Sequence, residues 1–253
     1  MKCAVCRERE ATREYHINYY PEIKIEVCEL CHAYLHQYSE IKRMKPYILI
    51  LETLWRRDDN FISREQLKQF CSKYNVEYDN VVRYLLTHGW IIRIFRGIFY
   101  IKSLEEKNLG TLNYNIWEMV AEGIRRKGVS NWYYGLHTAL NFHNITNEYY
   151  PVIYVINTEI FRRNPIMING HPFKFYRLKD TLFNFGICEE DGLRYSDPEK
   201  TILDFIYIWR YNSVPEERIK LDVSEWVDSV SLNKLREYSI YYPKTVRKFV
   251  MRF

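Results

Sequence analysis

The sequence predicts an α+β protein, and three observations carry that expectation. Two Cys-x-x-Cys pairs, Cys3/Cys6 and Cys28/Cys31, enclose a short strand-rich stretch. From Pro46 three helical segments are followed by two β-rich runs. After Gly110 the remainder alternates helical periodicity with short strands. A chain of 253 residues is too long for one minimal module. These patterns place boundaries between a head at 1–45, a middle at 46–104 and a tail at 105–253.

Charge and hydropathy narrow the function class. The chain carries 37 Lys and Arg against 32 Asp and Glu, a formal +5. That is mild, and no basic tail of the kind that coats nucleic acid is present. Residues 46–102 hold nine of the basic and six of the acidic side chains, so more than half of the excess sits in the middle segment. No apolar run approaches the ~18 residues of a membrane span. The charge at Arg7 leaves no room for a signal-peptide core, which predicts a cytoplasmic protein. These features exclude a membrane span, a secreted precursor and a fibrous protein, and leave enzymes and binding proteins open.

In the head, Cys3-Ala-Val-Cys6 and Cys28-Glu-Leu-Cys31 stand 21 residues apart. Each pair puts two sulfurs on one turn, and two such turns complete a tetrahedral site, so Cys3, Cys6, Cys28 and Cys31 are expected to bind one structural zinc ion. Glu14–Tyr20 and Ile23–Val27 read as strands separated by Pro21, which makes the head a zinc ribbon. About 45 residues bury too little apolar surface to fold alone. Zinc supplies on the order of 10–16 kcal/mol in such domains. Two disulfides are a competing reading. Haem attachment at Cys28–His32 is another, although it gives Cys3 and Cys6 no role. His32 is expected just outside the metal's ligands, and four protein ligands leave no open position for catalysis.

In the middle, Ile48, Leu51 and Leu54 recur at helical spacing, with Ile50 and Trp55 beside them. Ser63 with Gln66 forms a capping box for a second helix reaching Phe70. A third helix after Asn75 places Tyr78, Val82, Leu85 and Leu86 on one face and ends at His88-Gly89. Trp90–Phe95 and Ile98–Lys102 then form a hairpin turning at Arg96-Gly97. This order is that of a winged helix-turn-helix, whose third helix enters the major groove of double-stranded DNA. The outward face of that helix holds Asp79, Asn80, Arg83 and Thr87. Asn80 suits adenine and Arg83 guanine. Arg64, Arg93 and Arg96 suit phosphates. Winged helices also serve as protein-interaction domains, so the pattern alone does not exclude an adaptor. With a local excess of only +3, a modest, salt-sensitive binder acting in two copies, possible as a homodimer, is expected.

In the tail, helices are expected at Ile116–Arg126 and from a Ser130 or Asn131 cap to His143. Strands are expected at Val152–Ile156, Ile166–Ile168, Phe173–Arg177 and Leu182–Ile187. A helix capped by Asp197, with Pro198 at its first position, runs to about Tyr211, and short helices follow near Leu232–Tyr238 and Pro243–Val250. The run Gly89-Trp90-Ile91 with Arg96-Gly97-Ile98-Phe99-Tyr100 resembles the N-terminal domain of AbiEi-type antitoxins. Trp132–His143 is similar to that family's small-x-x-Ala-Leu-x-x-His-Gly helix, with Asn144 where glycine is usual. Ser196-Asp197-Pro198-Glu199-Lys200-Thr201-Ile202-Leu203-Asp204 is similar to its Ser-x-Pro/x-Glu-(Arg/Lys)-Thr-Leu/Ile-Leu-Asp segment. The resemblance spans about Pro46–Tyr211 and leaves the cysteine head outside the family pattern. It implies an antitoxin of a type IV toxin–antitoxin pair that represses its own operon at inverted repeats and counteracts a nucleotidyltransferase-like toxin. A stand-alone zinc-containing winged-helix transcription factor is the alternative.

Catalytic signatures are missing from the sequence. His137 and His143 are six residues apart and do not share a helix face. Glu189, Glu190 and Asp191 read as a solvated turn. Asp197, Glu199 and Asp204 are explained by capping, first-turn charge and a buried or paired carboxylate. No phosphate-cradling glycine loop, HExxH or GxSxG occurs. The expected function is therefore binding, without catalysis.

Overall fold

The computed structural model describes residues 1–19, 22–33, 35 and 46–252, with the backbone alone for 17–19, 22 and 23. Tyr20 and Pro21, expected to end the first strand and turn the chain, lie outside the described residues. The chain divides into two compact units, residues 1–57 with 70–84, and residues 58–69 with 85–253. This division falls inside the 46–104 segment instead of at its ends. The architecture is mixed α+β, with a cysteine cluster near the N-terminus.

In the first unit, β1 (Arg13–Tyr19) pairs antiparallel with β2 (Glu22–Val27), with a bulge between His16 and Asn18. Val27 is buried with Cys3 and Cys28, and Tyr15, Ile25 and Leu35 pack around them. Helix α1 (Pro46–Trp55) buries Ile50, Leu51 and Leu54. Its Thr53 hydroxyl lies 2.7 Å from the Tyr74 hydroxyl, and the Tyr47 and Tyr84 rings stand 4.9 Å apart. Helices α2 (Arg64–Lys73) and α3 (Tyr78–Thr87) have residues in both units.

The capping box that starts α2 is formed: the Gln66 amide donates to Ser63 Oγ at 3.2 Å, and the Ser63 amide donates to Gln66 Oε1 at 3.0 Å. The helix runs past Phe70 to Lys73. Asn75 takes a left-handed φ of 51° and separates it from α3. On α3, Val81, Val82 and Leu85 are buried, whereas Tyr78 and Leu86 are half-buried, so the apolar face is rotated slightly from the expected one. Gly89, at φ 66°, closes α3.

The second unit is organised by two sheets. Strand β3 (Phe61–Ser63), which the sequence did not reveal, joins β4 (Ile91–Phe95) and β5 (Ile98–Ile101) in the order β3-β5-β4. The second sheet is mixed and has six strands, in the order β10-β11-β6-β7-β9-β8. These strands are β6 (Trp132–Tyr134), β7 (Ile153–Asn157), β8 (Ile166–Ile168), β9 (His171–Arg177), β10 (Ile187–Glu190) and β11 (Leu193–Ser196). Successive strand residues point to opposite faces. Trp132, Tyr134, Ile153 and Val155 therefore face one core, and Tyr133 and Ile156 face the other.

The first core is shared with the β4–β5 hairpin and with α5 (Ile116–Arg126), which follows the short α4 (Leu104–Leu109). Helix α5 has the bounds the sequence predicts and buries Met119, Val120, Ala121 and Ile124. The second core is covered by α6 (His137–Phe142), α7 (Pro198–Tyr211), α8 (Glu216–Val227), α9 (Leu232–Ser239) and α10 (Lys244–Val250).

Two tail expectations are corrected. The helix expected from Ser130 or Asn131 to His143 is strand β6, a turn and then α6. All three aromatic side chains of Trp132-Tyr133-Tyr134 are buried, and they pair with β7 in the register Trp132↔Asn157 to Tyr134↔Val155. Burial on both faces of a sheet suits this aromatic run better than a one-sided helix does. The strand expected at Leu182–Ile187 is a 3-10 turn (Asp180–Phe183) followed by β10, because Gly186 at φ 63° breaks the run. The Asp191-Gly192 turn joins β10 to β11.

Candidate functional site

The cysteine cluster is built from two turns. After Cys3, Arg7 adopts a left-handed φ of 58° and its amide donates to Cys3 O at 3.0 Å, closing the first turn. The second turn is the start of a helical segment at 29–33, where the His32 amide donates to Cys28 O at 2.8 Å. The Ala4 amide donates to Glu26 O at 2.9 Å and ties the first turn to β2. All four sulfurs consequently lie within 4.8 Å of one another, and Cys6 Sγ is 3.9 Å from Cys28 Sγ. Four thiolates around one ion with ~2.3 Å metal–sulfur bonds stand ~3.8 Å apart at the edges of a tetrahedron. The cluster is thus able to bind a metal ion.

The electrostatics of the cluster favour partial ionisation. At Cys3, burial opposes ionisation, but the amides of Cys28, Cys6 and Val5 together outweigh it and bring the thiol down to about 6. At Cys28, the Cys31 amide leads in lowering the thiol. Cys31, beside the Cys28 sulfur, is pushed up to about 12 because it keeps the proton the two would share. Crowded thiols that cannot all ionise together have a natural remedy in a cation among them. His32 has its ring edge-on to Tyr15, with centroids 6.2 Å apart. All six cysteines carry free thiols in this structure.

The residues expected to face nucleic acid occupy two places. Asp79, Asn80, Arg83 and Thr87 are all exposed on α3. The Asn80 side-chain Nδ2 donates to Glu77 Oε2 at 2.9 Å, which engages one of its two N–H donors. Arg93 and Arg96 are exposed on the hairpin, and Arg64 is half-buried beside it. The Arg64 amide donates to Gly97 O at 2.7 Å, which fixes the first residue of α2 against the turn. Lys127, just past α5, donates from Nζ to Arg96 O at 3.0 Å. Sequence reasoning passed over Lys127 because its neighbour in space is 31 residues away, although a basic residue closing a helix before Gly128 was a visible signal.

The Ser196–Asp204 motif forms a buried polar core. Lys200 and Asp204 are fully buried and lie 3.7 Å apart. The Tyr133 and Tyr242 hydroxyls donate to Asp204 at 2.8 and 2.7 Å. The Lys200 ammonium sits 4.5 Å from the Phe185 ring centroid and 4.9 Å from that of Tyr133. Burial lowers Lys200 and raises Asp204, each opposed by the other's charge. Asp197 caps α7 by accepting from the Lys200 amide, and Lys234 of α9 bridges Asp197 and Glu199 at 2.9 and 3.0 Å. Ser196, Asp197, Glu199, Lys200, Thr201 and Asp204 each have a hydrogen-bond or ion-pair partner within the fold. His137 stacks 3.8 Å from Tyr150, and burial lowers it to about 4, which keeps it neutral.

No family model and no curated protein sequence matches the chain. Among solved structures it is similar to the Rv2827c protein from Mycobacterium tuberculosis, at 13% identity and a TM-score of 0.51, over 79% of this chain and 73% of that one. At that identity the likeness establishes a shared fold alone. Among the described residues, no helix is long and apolar enough to cross a membrane.

Proposed function

We propose that this chain is a zinc-containing, winged-helix DNA-binding regulator of the AbiEi antitoxin type, without catalytic activity and acting in the cytoplasm. It represses its own operon, and its tail counteracts a nucleotidyltransferase-like toxin. The observation that carries the DNA reading is α3, which presents Asp79, Asn80, Arg83 and Thr87 to solvent while burying Val81, Val82 and Leu85. It follows a capped helix and precedes a hairpin with exposed Arg93 and Arg96, the element order of a winged helix-turn-helix. The four clustered sulfurs support zinc, whose closed tetrahedral four-thiolate sites are structural. The antitoxin reading rests on the sequence resemblance; a nucleotidyltransferase-like product encoded by the neighbouring gene would support it, and the absence of one would favour the stand-alone regulator.

The test is binding of the purified protein to a duplex carrying the sequence upstream of its own gene, against a random duplex. Wild type should prefer the upstream duplex. Arg83→Ala should cost about 1–3 kcal/mol and relax discrimination at one position. The Arg83→Ala/Arg96→Ala double variant should lose binding at moderate salt. Unchanged binding by the double variant would sink the groove assignment and leave a protein-interaction adaptor as the better reading.

A further inference from the structure

We propose that Lys127, from the tail, joins Arg64, Arg93 and Arg96 in a cationic grip on the phosphate backbone of duplex DNA, presented by a hairpin that the core holds rigid. This deepens the DNA-binding reading and rests on it. Three of these residues meet at one turn. Lys127 Nζ donates to Arg96 O at 3.0 Å, and the Arg64 amide donates to Gly97 O at 2.7 Å. A Cβ placed on Gly97 would sit 3.2 Å from Arg64 Cβ, so the start of α2 lies directly against the turn. Arg93 lies on β4 with its guanidinium 5.7 Å from the Phe99 ring, and both Arg93 and Arg96 are exposed.

The charge of Lys127 differs from that of its neighbours. Arg125 is paired with Glu122, and Arg126 is held by both Glu122 and Asp59. Lys127 meets a carbonyl, which positions the ammonium without cancelling its charge, and the side chain is exposed. Glu65 is the acid nearest in sequence to the turn's cations. Its carboxylate is held low by its own amide and the Ser63 hydroxyl, with the Arg64 charge adding to both, so it stays ionised and offsets part of the Arg64 charge. Lys127, Arg93 and Arg96 still leave the turn a positive excess.

The hairpin has little freedom to move. Ile92, Ile94, Phe95, Ile98 and Tyr100 are buried in one core with Met119, Val120 and Ile124 of α5 and with Phe173 and Phe175 of β9. Cations fixed in place lose little conformational freedom on binding. The tail domain thus serves the nucleic-acid surface as well as any protein partner.

The experiment is a salt titration of binding to the upstream duplex and to a random duplex of equal length. Its variants are Lys127→Gln, whose amide can still donate to Arg96 O, and Lys127→Arg, which keeps the charge. Lys127→Gln should weaken binding several-fold on both duplexes and reduce the slope of log K against log salt by about 0.9. Lys127→Arg should retain the wild-type slope. If wild type binds and Lys127→Gln shows the same affinity and slope, Lys127 only braces the turn and the inference is overturned while the DNA reading stands. If wild type binds neither duplex, the DNA reading itself fails.

Discussion

Lys200 shows how one residue in a motif-like run can be structural. It is fully buried, caged by aromatic rings and paired at 3.7 Å with Asp204, which two phenols also hold. Removing one partner of a buried pair leaves a charge without compensation, which typically costs about 3–5 kcal/mol. Lys200→Met should therefore destabilise the protein by about 3 kcal/mol or more, measured as a shift of the urea midpoint at constant slope. Adding Asp204→Asn removes the stranded charge while keeping an oxygen for the phenols, and should recover most of the loss. If the double variant is no more stable than the single one, the lysine matters for packing and its charge is incidental. At the same scale, the exposed residues of α3 were legible from spacing alone. The Asn80–Glu77 bond was not, because side-chain geometry decides whether residues three apart on a helix turn meet.

Helices were more legible in this chain than strands. Caps announce themselves locally: Ser63 with Gln66 and Asp197 before Pro198 each start a helix where sequence places it. Short strands depend on partners distant in sequence. The three-residue β3 is defined by pairing Phe61 with Tyr100, and β6 by pairing with β7 and β11. Without those partners Trp132-Tyr133-Tyr134 reads equally as part of a helix, and the Leu182–Ile187 run hides a turn. The contact of α5 with the hairpin lives at this scale too. A Cβ on Gly123 would lie 2.6 Å from Ile94 Cγ2 and 3.1 Å from the Phe95 ring. Gly123→Ala should cost about 1–3 kcal/mol through overpacking, read by thermal or urea unfolding. A neutral or stabilising result would mean that helix and hairpin do not pack this closely.

At the scale of the whole molecule, the two compact units differ in what holds them. The unit with residues 85–253 has two extensive apolar cores on the faces of one sheet. Among the described residues, Val27, Tyr15, Ile25 and Leu35 supply the apolar contact around the cysteines. Metal removal should therefore act unevenly. The pure protein should carry about one zinc ion per chain. A strong chelator, or Cys28→Ser, should release it and abolish protection of the amides of β1 and β2 in hydrogen exchange. Amides of the six-stranded sheet should keep theirs. Uniform loss of protection, or no metal in the purified protein, would reject a separable metal-stabilised head.

The sequence by itself determined the α+β class, the four ligands able to share one ion, the capped helices and the polar face of α3. Each is written in short-range spacing: two residues between cysteines, three between cap partners, three or four between helix neighbours. Tertiary structure alone decided which strands exist, that the hairpin is built into the core of the tail, and that Lys127 reaches the Arg96 turn. Those features join residues tens of positions apart, and pairing and burial between distant segments leave no fixed interval in the chain.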